Sequence, residues 1–447
     1  MRVAFLEIDA ERSWAVASIG PAFLAAYLRA HGHEAVFLRI GLDETPADIR
    51  QRVADAAPQL LATSLTTRQW LRGRQVIADL RAHLDIPVVA GGLHPTFSAD
   101  AVLESPGFDY VCLGEGEAAL LDLVEQLARG DRRIRDGQID NIQVSSGRRP
   151  RLREPLPDLD AMPWMARDFL DERYGVRYMA TQRGCPFPCT YCAARQYDEL
   201  YAANGTYGRR RSHEDVLAEL DALAAGPGLS YIIFLDDTFT IHRSWVREFC
   251  RKHRERLRTP FSLHARVETV TPRLLEQLAA AGCTQITYGV ESGSERVRRT
   301  IMDRQVSNQR FFDVFRWTRE AGIRVTANFI IGIPGETRRE MQSTLELCEA
   351  LDVTDFGYFV FYPYPGTALF HTCRREGWLP RDWIERPANH RQSILQLPGL
   401  TPADVAEVYD GFTALRQRIY ARRHGLDPDA SEARSVEQLL EQSAAVG

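Results

Sequence analysis

The chain has 447 residues, 45% of them hydrophobic and 26% charged, a balance that suits a globular protein with more than one buried core; length alone predicts about three domains. A net charge of −5, with arginines scattered among acidic residues, argues against a nucleic-acid-binding surface. No apolar run approaches the ~18 residues a membrane helix needs, and residues 1–8 read as a buried strand rather than a signal peptide, so a cytoplasmic protein with no membrane partner is expected.

Strand and helix alternate through the first ~130 residues. Short apolar runs at 3–6, 35–38, 60–65, 87–90 and 110–113 predict strands, and helical patterns cover 21–31, 68–84 and 117–129. Such alternation predicts a parallel sheet covered on both faces, a Rossmann-like domain over 1–132. Residues 133–174 break the rhythm with Arg and Gly, then Pro155, Pro157 and Pro163, and read as an extended linker. A second alternating series follows, with strands expected at 178–181, 231–235, 261–264, 285–290, 325–331 and 356–361. Six β/α units over 175–375 suit a partial (β/α)6 barrel, which makes the chain an α/β protein. Residues 376–447 read as a polar, mainly helical C-terminal region, with Thr401-Pro-Ala-Asp as a helix start. Cys112, Cys250, Cys283, Cys348 and Cys373 lie singly in apolar or helical surroundings and read as free thiols.

The other three cysteines form the sharpest feature. Arg183-Gly-Cys185-Pro-Phe-Pro-Cys189-Thr-Tyr-Cys192 places three thiols in C-x-x-x-C-x-x-C spacing just after the first strand of the second series. Three thiolates on one loop can bind three irons of a cubane and leave the fourth iron open to another ligand. The competing readings are a zinc site with a remote fourth ligand, or three unrelated cysteines. Zinc sites usually bring two Cys or Cys/His pairs, and no second pair is present.

This loop, with Tyr191 before its third cysteine, resembles the signature of the radical S-adenosylmethionine (SAM) superfamily. The resemblance implies a [4Fe–4S] cluster on Cys185, Cys189 and Cys192, with SAM on the open iron and Tyr191 against its adenine. Asp236-Asp237-Thr238, after the second barrel strand, stands where members commonly use Gly-Gly-Glu to hold the SAM amino group, and a carboxylate suits an ammonium. Arg266 after the third strand resembles a SAM contact, and Glu291-Ser292 after the fourth resembles the pair facing the ribose and carboxylate. Gly332, in Ile331-Gly-Ile-Pro-Gly335-Glu336 after the fifth, resembles the segment near the adenine. All lie at strand C-termini, where barrel sites are built.

Gly91-Gly92-Leu-His94 and Gly114-Glu115-Gly116 follow strands of the first domain. Beside the cysteine loop they resemble the cobalamin-binding domain of the B12-dependent radical SAM subfamily. Thr63-Ser64-Leu65 stands for that domain's S-x-L element, with 25 residues between Leu65 and Gly91 and 42 between Gly20 and Thr63. On that spacing the Asp and His of the D-x-H-x-x-G element fall on Ala15 and Ala17, so the imidazole that would ligate cobalt is missing. His94 reads as a loop residue near the nucleotide tail or a hydrogen-bonded turn histidine. Tyr362-Pro-Tyr364-Pro-Gly366, after the sixth strand, is expected to border the substrate or adenine pocket, or to form a rigid turn.

The resemblance implies three cofactors: a [4Fe–4S] cluster, SAM and cobalamin. It also implies methylation of an unactivated carbon of a small molecule or natural product through a 5′-deoxyadenosyl radical and methylcobalamin. Alternatives are a radical cyclase, a ring-rearranging or hydroxylating enzyme of the same subfamily, or a non-catalytic Fe–S electron-transfer protein. An electron donor such as a flavodoxin or ferredoxin is implied, and the chain is expected to be monomeric.

Overall fold

The computed structural model describes residues 1–11, 18–131 and 134–424. The expected positions of Ala15 and Ala17, and residues 425–447 of the expected C-terminal region, lie outside these.

The first domain is built on β1 (Arg2–Ile8), β2 (Glu34–Ile40), β3 (Leu60–Ser64), β4 (Val88–Gly91), β5 (Tyr110–Cys112) and β6 (Ile142–Gln143). They form one sheet in the order β2-β1-β3-β4-β5-β6, parallel except for the last pair. Alternate residues of β1 feed opposite cores: Val3 and Phe5 meet Leu120 and Val124 on one face, while Ala4, Leu6 and Ile8 meet Trp70 and Ile77 on the other. The chain leaves β1 in opposite directions toward β2 and β3, so the crevice at the C-terminal ends of β1 and β3 is the expected ligand site of such a sheet. The helix Pro46–Ala56 is an addition to the sequence-based elements; the Thr45 side chain caps it by accepting from the Asp48 N–H at 3.2 Å.

The Pro- and Arg-rich stretch before the barrel is more than a spacer. Its β6 pairs antiparallel with β5, and Met165, Phe169 and Leu170 complete one core of the first domain. Phe169 sits edge-on to Phe5 with ring centroids 5.4 Å apart. Apolar residues too sparse to show a period are enough to bind this arm down.

In the second domain β7 (Val176–Met179), β10 (Tyr231–Phe234), β11 (Phe261–Ala265), β12 (Cys283–Glu291), β13 (Arg324–Ile331) and β14 (Asp355–Val360) form six parallel strands in the order β14-β13-β12-β11-β10-β7. This is an open half-barrel. A two-stranded ribbon, β8 (Gln182–Arg183) with β9 (Arg209–Arg210), stands beside its first strand. From 376 to 401 the only helix is the short turn Trp383–Glu385, so the expected mainly helical region begins in earnest at Pro402–His424. That helix belongs to the barrel core: Phe412 stacks on Tyr358 of β14 at 5.3 Å, and Val405 and Val408 are buried. Among the described residues no helix is long and apolar enough to cross a membrane.

Candidate functional site

The cysteine loop leaves the C-terminal end of β7, and protein contacts set its shape. Asp236, at the end of β10, accepts from the Thr181 and Gln182 N–H groups at 2.8 Å each and from the Thr181 hydroxyl at 3.0 Å. Burial raises its carboxyl to about 6. Gly184 has φ +84°, and a Cβ there would sit 3.0 Å from the backbone of Gly208, so the turn into Cys185 needs glycine. Farther on, the Thr190 hydroxyl donates to the Ile301 carbonyl at 2.6 Å, and the Leu369 N–H donates to the Thr190 carbonyl at 3.0 Å.

Cys185 and Cys189 are buried and Cys192 is partly open. Burial raises the Cys185 thiol and pushes Cys192 up to about 12, so a bound metal would replace their protons. Among the described residues no three His, Cys, Asp or Glu side chains converge as a single metal ion requires. Three cysteines on one short loop, with no second Cys or Cys/His pair beside them in the sequence, are a donor set that suits three irons of a cubane. Arg266 donates to Cys189 Sγ at 2.9 Å, lies 3.9 Å over the Phe187 ring and pairs with Glu268 at 2.5 Å. A cation donating to a ligand sulfur tunes a cluster's potential.

Around this loop the expected SAM residues divide by role. Asp236 is occupied in holding the loop. Its neighbour Asp237 projects into the recess, open to water though ringed by protein, and burial raises its carboxyl. Glu291 ends β12 in a left-handed conformation, φ +71°, at a register shift against β13. Arg304 donates to it at 3.1 Å, to the Tyr191 hydroxyl at 3.3 Å and to the Gly289 carbonyl at 2.8 Å. Burial still holds the Glu291 carboxyl above its ordinary value. Ser292 is fully buried, 3.5 Å from a carboxyl oxygen of Glu336, and so braces the strand end. Glu336 accepts the Ile333 N–H at 3.0 Å beside Gly332, whose φ is +75°; burial lifts that carboxyl to about 8.

Arg304 escaped the sequence reading. It lies 13 residues after Glu291, beyond the π-helical turn Val297–Ile301, where no periodicity ties it to its partner. Only the fold brings Tyr191, Glu291 and Arg304 together.

Between the strand ends of the first domain and the mouth of the barrel lie two adjoining cavities of about 320 and 710 Å3 that share Ile19, Gly20 and Ser64; Gln182, Gly184 and Asp237 wall the smaller one from the barrel side. Thr63, Ser64, Gly91, Gly92, Gly114, Glu115 and Gly116 all line the smaller, deeper one, with Phe5, Val89 and Leu120 as apolar walls. Gly92 has φ +93°, and a Cβ there would fall 2.8 Å from Ser64 Oγ and 2.9 Å from the Leu65 nitrogen. The S-x-L-like and Gly-Gly elements thus meet backbone to backbone. Leu65 and His94 are not on the cavity wall. Leu65 is buried, and His94 stacks on Trp70 at 4.7 Å with Nδ1 3.3 Å from the Thr67 hydroxyl; burial holds its imidazole down to about 3. A narrower recess that adjoins a wider one, both mainly apolar, fits a cofactor that carries a nucleotide tail beneath a broad ring. The wider cavity is bounded by Glu7, Ser64 and Gln69 from the first domain and by Tyr191, Cys192, Tyr364 and His390 from the second. Tyr364 therefore borders the shared cavity, its hydroxyl 2.5 Å from His390 Nε2.

A Rossmann-like crevice thus shares a cavity with a three-cysteine loop at the mouth of a half-barrel. Comparison with known proteins agrees: the model of the radical SAM superfamily matches residues 179–348, and that of the B12 binding domain matches 11–124. The chain thus combines a segment like the radical SAM superfamily with a segment like the B12 binding domain. It is 28% identical over 367 residues to an uncharacterized methyltransferase of Pyrococcus horikoshii, covering 79% of this chain and 77% of that protein. It is 27% identical over 437 residues to the cytidylyl-2-hydroxyethylphosphonate methyltransferase of Streptomyces wedmorensis, covering 86% and 80%. Its fold matches the radical SAM methyltransferase TsrM from Kitasatospora setae, solved with tryptophan substrate and a SAM analogue, with a TM-score of 0.70 and 19% identity over 93% of this chain and 90% of that one.

Proposed function

We propose that the protein is a cobalamin-dependent radical SAM methyltransferase that acts on an unactivated carbon of a small molecule. One observation carries this reading: Tyr191 and Cys192 of the cluster loop line the same cavity as the strand-end loops of the B12-binding domain, so both cofactor sites open onto one space. When bound, the cluster and SAM supply a 5′-deoxyadenosyl radical, and cobalamin supplies the methyl group.

The chain's own residues do the rest. Cys185, Cys189 and Cys192 would hold three irons, and Arg266 sets the charge at one sulfur. Asp237 would take the SAM ammonium. Glu291, fixed by Arg304, would take the ribose hydroxyls, with Tyr191 and the Gly332 turn against the adenine. Thr63, Ser64, Gly91, Gly92 and the 114–116 loop would hold the cobalamin tail. A low-potential protein such as a flavodoxin or ferredoxin would deliver electrons to a monomeric chain. We place it in the reducing cytoplasm, as its eight free thiols suggest.

Anaerobic purification, a UV–visible spectrum and cofactor extraction test the reading. Iron, sulfide and cobalamin together, with reductive cleavage of SAM to 5′-deoxyadenosine, support it. Zinc or no metal at the loop refutes it. A product that gains no label from methyl-labelled SAM assigns the chain to the cyclising or rearranging enzymes instead.

A further inference from the structure

The loop after β5 does more than line the deep cavity. Its two carboxylates are already engaged across the domain boundary: Arg183 donates to Glu115 at 2.9 Å and to Glu117 at 2.5 Å, and Arg209 also pairs with Glu115. All four side chains are at most 18% exposed. Burial alone would raise the Glu115 carboxyl, but Arg183 and Arg209 hold it below its ordinary value. The network therefore consists of ionised groups in a poorly solvated place, where geometry is strict and a lost partner is costly.

Two features tie this network to both sites at once. Glu115, Glu117 and Arg183 are themselves walls of the deep cavity, and Arg183 lies 5.4 Å over the ring of Phe23, another wall. Along the chain, only Gly184 separates Arg183 from Cys185. That glycine is pressed against the backbone of Gly208 on the connection into β9, so the link has little slack. A ligand filling the cavity orders the network from one side, and metal on Cys185 orders it from the other.

We propose that Glu115, Glu117, Arg183 and Arg209 are positioning residues that couple the two cofactor sites, so that loading the cluster tightens cobalamin binding and cobalamin in turn favours the loaded loop. The proposal rests on the cobalamin reading above. Its physical basis is shared ordering: whichever ligand binds second meets a network already fixed by the first. Coupling of this kind is reciprocal.

The test is an anaerobic spectrophotometric titration of the full chain with hydroxocobalamin, in cluster-loaded and chelator-stripped forms. The loaded form is expected to bind at least about fivefold more tightly. Arg209→Gln, which removes one of the two cations on Glu115 from outside the cavity wall, is expected to bring the two affinities within about twofold of each other while binding persists. Arg183→Lys is the substitute if that variant does not fold. Arg74→Gln, which breaks the Arg74–Glu385 pair between the domains at another place, is expected to keep the full difference. Equal affinities in the wild type, or a difference that survives Arg209→Gln, overturn the coupling. Failure of the loaded wild type to bind hydroxocobalamin at all overturns the cobalamin reading, and the coupling with it.

Discussion

Arg304→Gln is the most informative single substitution in the barrel. The Arg304 side chain is 2% exposed and makes three hydrogen bonds, one of them to the Glu291 carboxylate. Removing one partner of a buried ion pair costs about 3–5 kcal/mol, because the remaining charge keeps its desolvation penalty. Glu291 has little means of escape, since its backbone is held at φ +71°. Urea unfolding at pH 8, followed by tryptophan fluorescence, should therefore show a loss of that size. Burial already raises Glu291 above the ordinary 4.5, and loss of Arg304 raises it further. An acid with a raised folded-state pKa gives stability that is complete below its unfolded value and lost as pH rises through the folded one. The deficit should thus shrink as pH falls toward 5, and Glu291→Gln added to Arg304→Gln should recover most of it at pH 8. SAM affinity, read by equilibrium binding, should fall by roughly 10- to 100-fold, the worth of a charged hydrogen bond. Wild-type stability at pH 8 together with wild-type SAM affinity would refute the assigned role of Arg304.

Other substitutions separate the sites. Cys189→Ala should abolish the cluster's visible absorbance and SAM cleavage, with hydroxocobalamin still taken up, several-fold more weakly. Asp237→Asn should leave that absorbance in place and weaken SAM binding by about tenfold in the same equilibrium assay. Gly92→Ala puts a Cβ 2.8 Å from Ser64 Oγ in a backbone region that L residues rarely adopt; a strain of about 1–3 kcal/mol should lower hydroxocobalamin affinity by about fivefold or more. Glu336, raised to about 8, contributes stability that is complete below about 4.5 and lost as pH rises through 8, at up to about 1.4 kcal/mol per pH unit. Thermal melts of Glu336→Gln across pH 5–9 should lack that component.

Apolar runs of four to seven residues, set between helical periods, made most sheet strands legible, and the cysteine spacing singled out the loop that leaves β7. What escaped has physical reasons. The two-residue β6 is too short to carry a period, and prolines around it mask an arm that packs on Phe5. Thr45-Pro46, with Asp48 close behind, is a good helix start, yet a polar sequence hid the helix Pro46–Ala56. Arg183 and Arg304 are ordinary arginines by composition; what distinguishes them is the partners met across 66 and 13 residues, which only tertiary folding supplies. His94, read as a residue near the nucleotide tail or as a hydrogen-bonded turn histidine, takes the second form: its Nδ1 lies 3.3 Å from the Thr67 hydroxyl and its ring stacks on Trp70.

The cluster loop is gripped at both ends by the protein itself, through Asp236 on Thr181 and Gln182 and through Thr190 against Ile301 and Leu369. Those grips fix where the three-cysteine segment enters and leaves, so the spacing of its sulfurs is set partly by residues that carry no sulfur: a change at Asp236 or Thr190 would move cysteines that it does not touch.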